Sequence, residues 1–250
     1  MFKRIIIKLS GEGLAGNSAD HFDDPTVERL TKEIAEVIDG GTEVGIVVGG
    51  GNFWRGRDAK PEMDKVKAHQ IGMVGTVMNG LYLSEALRLS AVHSVVMTPF
   101  DFNGFTRRFS KEEALKAMKR KKAVIFAGGT GHPFFSTDSV VALRACELSA
   151  DAVLYAKNID CVYTADPKKD KSARRYKSVP YSTVVSNCLD VADLSALHMT
   201  MQHDIPSVVF ALDRPGAIVA AARGEIAEIG ATLVANQIEE EFYVNAHEAI

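Results

Sequence analysis

At 250 residues, with 46% apolar and 24% charged residues and a formal net charge of −3, the chain can bury a sizeable core in one large or two small domains. That balance excludes a strongly basic nucleic-acid surface and a membrane-binding surface. The start, Met1 to Lys8, is charged too soon for a signal peptide, no apolar run reaches bilayer-spanning length, and Cys146, Cys161 and Cys188 are widely spaced without a CxxC, so a reducing cytoplasm is expected and a structural zinc site is not.

Lys3 to Leu9 reads as a strand, followed by a polar loop from Ser10 to Asp24. A helix opens with Asp24 as cap and Pro25 at its first position, carries Val27, Leu30, Ile34, Val37 and Ile38 on one face, and stops at Gly40-Gly41. Val44 to Val48 is a buried strand running into Gly49-Gly50-Gly51. A long helix follows from about Met63 to Leu89, whose Gly72, Gly75 and Gly80 predict close packing. Further strands are expected near Ser94–Met97, Ala123–Ala127, Ala152–Tyr155 and Ser207–Phe210. Helices are expected to begin near Ser110, where Glu113 completes a capping box, and near Asp138 as cap, Leu189 and Pro215. The alternation predicts an α/β fold, a mostly parallel sheet with helices on both faces that binds ligands at the carboxyl ends of its strands. One domain over 1–235 is expected, with an acidic tail over 236–250 marked by Glu239-Glu240-Glu241.

The most informative stretch is Gly128 to Asp138, set between a buried strand and a helix. Its glycines, the hydroxyls of Thr130, Ser136 and Thr137, and the positive end of the helix suit one anion, with Pro133, Phe134 and Phe135 as a wall; an ordinary turn is the alternative. Lys8-Leu9-Ser10-Gly11-Glu12-Gly13-Leu14-Ala15-Gly16 contains G-x-G-x-x-G, but no helix opens at once and the second strand ends in three glycines where a dinucleotide fold places its acid. Lys8 is either a strand-end lysine reaching solvent or a point charge for phosphate. Three glycines in a row suggest close backbone approach to a ligand, with Arg55 able to fork onto phosphate, while Trp54 reads as packing. Asn158 to Pro167 reads equally as a nucleoside frame, with Tyr163 and two carboxylates, or as a surface turn. No Walker A motif is present, so the set points to phosphoryl transfer outside the P-loop families. A phosphate acceptor is already anionic, which fits the lack of a His–acid pair.

Lys8 to Glu12, Gly49 to Asn52 with Arg55-Gly56, Gly72-Met73 through Thr76 to Asn79, Gly129 to Asp138 and Tyr163 to Pro167 occur in an order that resembles the bacterial uridylate (UMP) kinases of the amino acid kinase superfamily, over about residues 3 to 235. The resemblance implies a three-layer α/β/α sandwich, ATP and Mg²⁺ as co-substrates, UMP as acceptor, a homohexamer and a cytoplasmic role in pyrimidine nucleotide synthesis. It implies that Lys8, Leu9, Ser10 and Gly11 hold the ATP phosphates, that Gly51 and Arg55 meet phosphates at the reaction centre, and that Lys157, Asn158, Tyr163 and Asp166 border the adenosine. UMP falls to Gly50, His69 and the run Thr130, Gly131, His132, Pro133, Phe134, Phe135, Ser136 and Thr137, with Asp138 organising the centre.

The chain departs from the family at His69, where an aspartate usually holds the ribose, at His132 for asparagine, and at Cys161 for a glycine whose left-handed backbone a cysteine resists. The usual effector loop is replaced by Ala19 to Asp23, so activation by GTP is not expected. A non-catalytic, oxyanion-storing relative of these kinases is the alternative reading.

Overall fold

The computed structural model describes residues 1–16 and 20–244, apart from the side chain of Arg57; Ala19 of the effector-loop segment and residues 245–250 of the tail lie outside the described residues. Chain order runs β1 (Arg4–Leu9), α1 (Gly11–Ala15), α2 (Asp24–Asp39), β2 (Glu43–Val48), α3 (Lys65–Leu89), β3 (Ser94–Thr98), β4 (Arg107–Arg108), α4 (Lys111–Lys119), β5 (Ala123–Phe126), α5 (Thr137–Leu148), β6 (Ala152–Lys157), β7 (Tyr176–Pro180), α6 (Tyr181–Ser186), α7 (Leu194–Gln202), β8 (Ser207–Ala211), α8 (Ala217–Arg223), β9 (Thr232–Ala235) and β10 (Glu241–Phe242). The strands form one sheet in the order β10-β7-β9-β8-β6-β1-β2-β5-β3-β4. Pairing is parallel except between β8 and β9 and between β10 and β7.

Alternation along the central strand builds both cores. Ile5, Ile7 and Leu9 pack with α2, α3 and α8 on one face, whereas Ile6 joins α4, α5 and α7 on the other. This is the predicted three-layer arrangement, and by the same period of two Lys8 follows Ile6 to the α5 face. Gly80 fulfils the expectation of close helix packing, since a Cβ there would lie 3.0 Å from that of Ala127 and 3.3 Å from Val96.

Several boundaries differ from the sequence reading, each for a local reason. The loop after β1 contains α1, whose cap is Ser10: its hydroxyl accepts from the Gly13 amide at 2.9 Å. Asp23, not Asp24, caps α2. Ser136, not Asp138, caps α5 by accepting from the Asp138 amide at 3.0 Å. Asp193 caps the helix expected near Leu189, which starts at Leu194, and the helix expected near Pro215 starts at Ala217. At α4 Ser110 caps as expected, accepting from the Glu113 amide at 3.4 Å, while its hydroxyl donates to Glu112 at 3.0 Å and the Glu113 carboxylate lies 3.7 Å from Lys116. Residues Glu241 and Phe242 of the acidic tail pair with β7 at the sheet edge.

The amino end of α8 begins at Gly216 (φ 77°) without a side-chain cap of its own. Glu33 of α2 supplies one from across the core, accepting from the amides of Gly216 and Ile218, both at 3.0 Å. It is buried and held by Arg29 at 2.9 Å. Replacing Glu33 with alanine orphans two amides and leaves Arg29 only the Leu212 carbonyl at 2.8 Å, and the urea unfolding midpoint should fall by the equivalent of about 2 kcal/mol.

Candidate active site

A cavity of 440 Å³ opens where β1, β2 and β5 end, within the range of small-ligand pockets. At its floor the Lys8 ammonium lies 3.3 Å from Asp138 Oδ1, with both side chains mostly buried. With Ser136 in the capping position, Asp138 is the second residue of α5 and its carboxylate faces the lysine. That Asp138 oxygen has no hydrogen-bond partner, so it balances the lysine by charge alone. A carboxylate there is also favoured by the positive end of α5.

Glu12 and Arg55 form a second ion pair across the mouth, from α1 to the loop after β2. Glu12 was not singled out in the sequence, where its position beside Gly11 and Gly13 in a loop-like run hid it. The three glycines after β2 answer a packing demand as well as lining the cavity. A Cβ on Gly49 would lie 3.0 Å from the Gly11 amide, one on Gly50 2.7 Å from the Gly72 carbonyl oxygen, and one on Gly51 2.9 Å from Glu12 Oε1. Their backbones therefore interlock with the first loop and with α3.

Two polar residues of α3 tie the glycine loops together, and neither was assigned a role in the sequence. Asn79, fully buried, donates to the Gly49 carbonyl at 2.6 Å and to Asn52 Oδ1 at 2.7 Å. Thr76 accepts from the Gly128 amide at 2.7 Å. The signal was an asparagine one helical turn from Leu83, on the same buried face: buried polar groups need partners.

Of the residues expected to hold the acceptor, Gly50, His69, His132, Phe135, Ser136 and Thr137 line the cavity. Thr130 lies in an adjacent cleft with His132 and Phe135. Gly131 (φ 85°) packs where a Cβ would meet Pro99 at 2.9 Å, and Pro133 lines neither space. Phe134 takes a left-handed φ of 70°, costly for an aromatic residue, and leans on the His69 ring at 4.8 Å. Trp54 packs as expected, its indole N–H donating to the Ala68 carbonyl at 2.9 Å, and it also lines the cavity.

Of the residues expected to hold the donor, Lys8, Ser10, Gly11, Gly51 and Arg55 line the cavity, while Leu9 is buried and offers only backbone, accepting from Gly49 N at 2.8 Å. Lys157, at the end of β6, and Asn158, Tyr163 and Asp166, on the connection from β6 to β7, lie outside it. Lys157 pairs with Asp190 at 3.2 Å, and Asp166 accepts from the Lys168 amide. Tyr163 donates to Asp160 at 2.9 Å, and burial together with that bond pushes its phenol up to about 12. Cys161 escapes the expected strain because its φ is not left-handed; it is buried and accepts from Arg175 Nε at 3.3 Å.

Asp193 is the residue the sequence reading missed altogether. It accepts from the hydroxyls of Ser136, Ser139 and Ser195 and from the Ala196 amide, binding α7 to the turn that precedes α5. Burial opposes its charge, but the bonds from Ser136, Ser195, Ala196 and Ser139 outweigh it and hold the carboxyl below its ordinary 3.8. A depressed folded-state value stabilises the fold above the unfolded value and is lost as pH falls through the folded one. Asp193→Asn should therefore be less stable than wild type at pH 7, and the gap in urea midpoint should close as pH is lowered through the region below 3.8.

Residues 3–211 match the model of the amino acid kinase family. Over 219 residues, 87% of this chain and 92% of the relative, the sequence is 42% identical to a uridylate kinase of Haemophilus influenzae. The UMP kinase structure from Bacillus anthracis is similar with a TM-score of 0.91 and 36% identity, over 97% of this chain and 99% of that one. That from Ureaplasma parvum gives 0.87 and 34%, over 94% and 99%.

Proposed function

The chain belongs to the amino acid kinase family and, within it, to the uridylate kinases, and we propose that its cavity is where the γ-phosphoryl group of ATP passes to UMP, giving UDP and ADP. The observation that carries this reading is the Lys8–Asp138 pair at the floor of the cavity, beside the glycine loops and the amino end of α5. An oxygen of the UMP phosphate attacks the γ-phosphorus, the bond to the β-phosphate oxygen breaks, and ADP leaves with that electron pair. The attacking oxygen is already anionic, so no base is needed. Lys8 neutralises charge on the transferring group, Asp138 holds Lys8 in place, and Arg55 exchanges Glu12 for phosphate oxygens. Storage of an oxyanion without turnover is not favoured, since the relatives are named as kinases.

Among the described residues no cluster of three metal-ligating side chains exists, and the carboxylates of the cavity, Glu12 and Asp138, each face a cation. This donor set fits a Mg²⁺ that would arrive on the ATP phosphates and take its ligands mainly from them, since Asp138 Oδ1, which makes no hydrogen bond, already faces Lys8. Such an ion supplies charge neutralisation at the phosphates. In the same reading Thr130 to Thr137 embrace UMP, His69 meets its ribose, and Lys157, Asn158, Tyr163 and Asp166 border the adenosine. The catalytic domain covers 1–235, with 236–250 as an added tail. No described helix is long and apolar enough to cross a membrane; a cytoplasmic place in pyrimidine nucleotide synthesis follows from the reading. Ile71, Val74 and Met78 form an exposed apolar stripe on α3 that supports subunit contact, in keeping with a homohexamer.

With ATP and Mg²⁺, UMP should release ADP far faster than CMP, AMP or GMP. Lys8→Ala should lower kcat by about 10²–10³ with little change in UMP binding, and a variant keeping half the wild-type kcat would reduce Lys8 to a strand-end lysine. A carboxylate accepts from both ribose hydroxyls where a neutral imidazole offers one acceptor. His69→Asp should accordingly lower KM for UMP; an unchanged value would remove His69 from the ribose.

A further inference from the structure

The connection from β6 to β7 leaves the sheet beside the first glycine loop, because β6 pairs with β1 up to Leu9 opposite Ala156. It returns against itself through a bridge between Tyr163 and Arg175, with the Thr164 amide donating to the Arg174 carbonyl at 3.0 Å. Arg175 is the pin of this turn. Its guanidinium reaches Asp160 at 2.8 Å, the Cys161 sulfur at 3.3 Å and the Gly230 carbonyl at 3.2 Å.

What holds Arg175 comes from the far end of the chain. The Tyr243 amide donates to the Arg175 carbonyl at 3.0 Å, its ring lies 5.0 Å from the guanidinium, and its hydroxyl is anchored on the Ala231 carbonyl at 2.6 Å. One residue earlier, Phe242 stacks on Tyr176 at 4.6 Å and carries the Arg174 guanidinium on its other side at 3.7 Å. Glu241 pairs with Lys177 at 2.8 Å, and Thr183 donates to Glu240 at 2.7 Å. Glu241 and the two aromatic rings are thus matched to cations and a ring at the start of β7 and just before it, and Glu240 to a hydroxyl of α6.

We propose that the carboxyl-terminal segment 239–243 is a strap that positions the donor-nucleotide loop, with Arg175 as the positioning residue through which Tyr243 acts on Asp160, Cys161 and Tyr163. The inference rests on the reading that Tyr163 and Asp166 border the adenosine of ATP. Among the described residues the contacts of the strap fall on this loop, on β7, on Thr183 of α6 and on the Ala231 carbonyl, and none reaches His69, Trp54 or the 128–137 turn on the acceptor side. The strap therefore acts on ATP and not on UMP.

The test compares the full chain with a chain ending at Ile238, with Tyr243→Ala and with Arg175→Lys. Each is followed by KM for ATP, KM for UMP, kcat, thermal unfolding, and calorimetric titration with a non-hydrolysable ATP analogue. The shortened chain should show KM for ATP and Kd for the analogue raised about tenfold, with KM for UMP and kcat at saturating ATP within about twofold of wild type. The two point variants should shift the same constants in the same direction. A shortened chain that unfolds cooperatively and keeps its KM for ATP overturns the proposal, as does an equal rise in both KM values. Should the shortened chain fail to fold, the same split in Tyr243→Ala and Arg175→Lys decides. Absence of UMP-dependent turnover in the full chain would overturn the kinase reading instead, leaving analogue binding to judge the strap.

Discussion

The arrangement of the site depends on one charge pair, Lys8 with Asp138, and on the geometry that forces the two together. β1 lies at the centre of the sheet with both faces buried, so its alternation leaves Lys8 only the α5 face. A lysine that is mostly buried needs an opposite charge. Asp138 provides it from the first turn of α5, and Asp193 fixes that turn by holding Ser136 and Ser139. Losing either Lys8 or Asp138 would leave a mostly buried charge without compensation.

Around the pair, backbone packs on backbone. The loops after β1 and β2 approach so closely that a side chain on Gly49, Gly50 or Gly51 would strike the first loop, α3 or Glu12. Such contact leaves carbonyls and amides in need of partners, and α3 meets it with Asn79 and Thr76. A single helix thus sets the separation between the loop after β2 and the one after β5, and the width of the cavity follows from that separation.

The cations of the cavity are already paired, Lys8 with Asp138 and Arg55 with Glu12. In the proposed reaction an entering phosphate would exchange one anionic partner for another and would not meet a bare positive surface. Near the mouth the exchange is easy, because both Arg55 and Glu12 remain partly in water; at the floor the pair is drier and its orientation is kept.

Much of this was legible in the amino-acid order. The core strands announce themselves as apolar runs such as Ile5 to Ile7 and Val44 to Val48, and the long helix and the glycine loops by their spacing. Family resemblance then marked Lys8, Arg55 and Asp138. Tertiary contacts decided the rest. The strands β7, β9 and β10 have only two to five residues and their pairing partners lie far along the chain, and β4 is only the exposed Arg107 and Arg108, so no local pattern identifies them. Ser136 and Asp138 are both good caps by residue type. Ser136 takes the cap of α5 and the Asp138 carboxylate faces Lys8, from a strand 130 residues away in sequence, a contact that no local pattern reveals. Asp193 and Glu33 were invisible for the same reason. Each carboxylate looks like an ordinary surface acid in sequence and becomes structural only when the fold brings otherwise unpaired hydroxyls or amides to it.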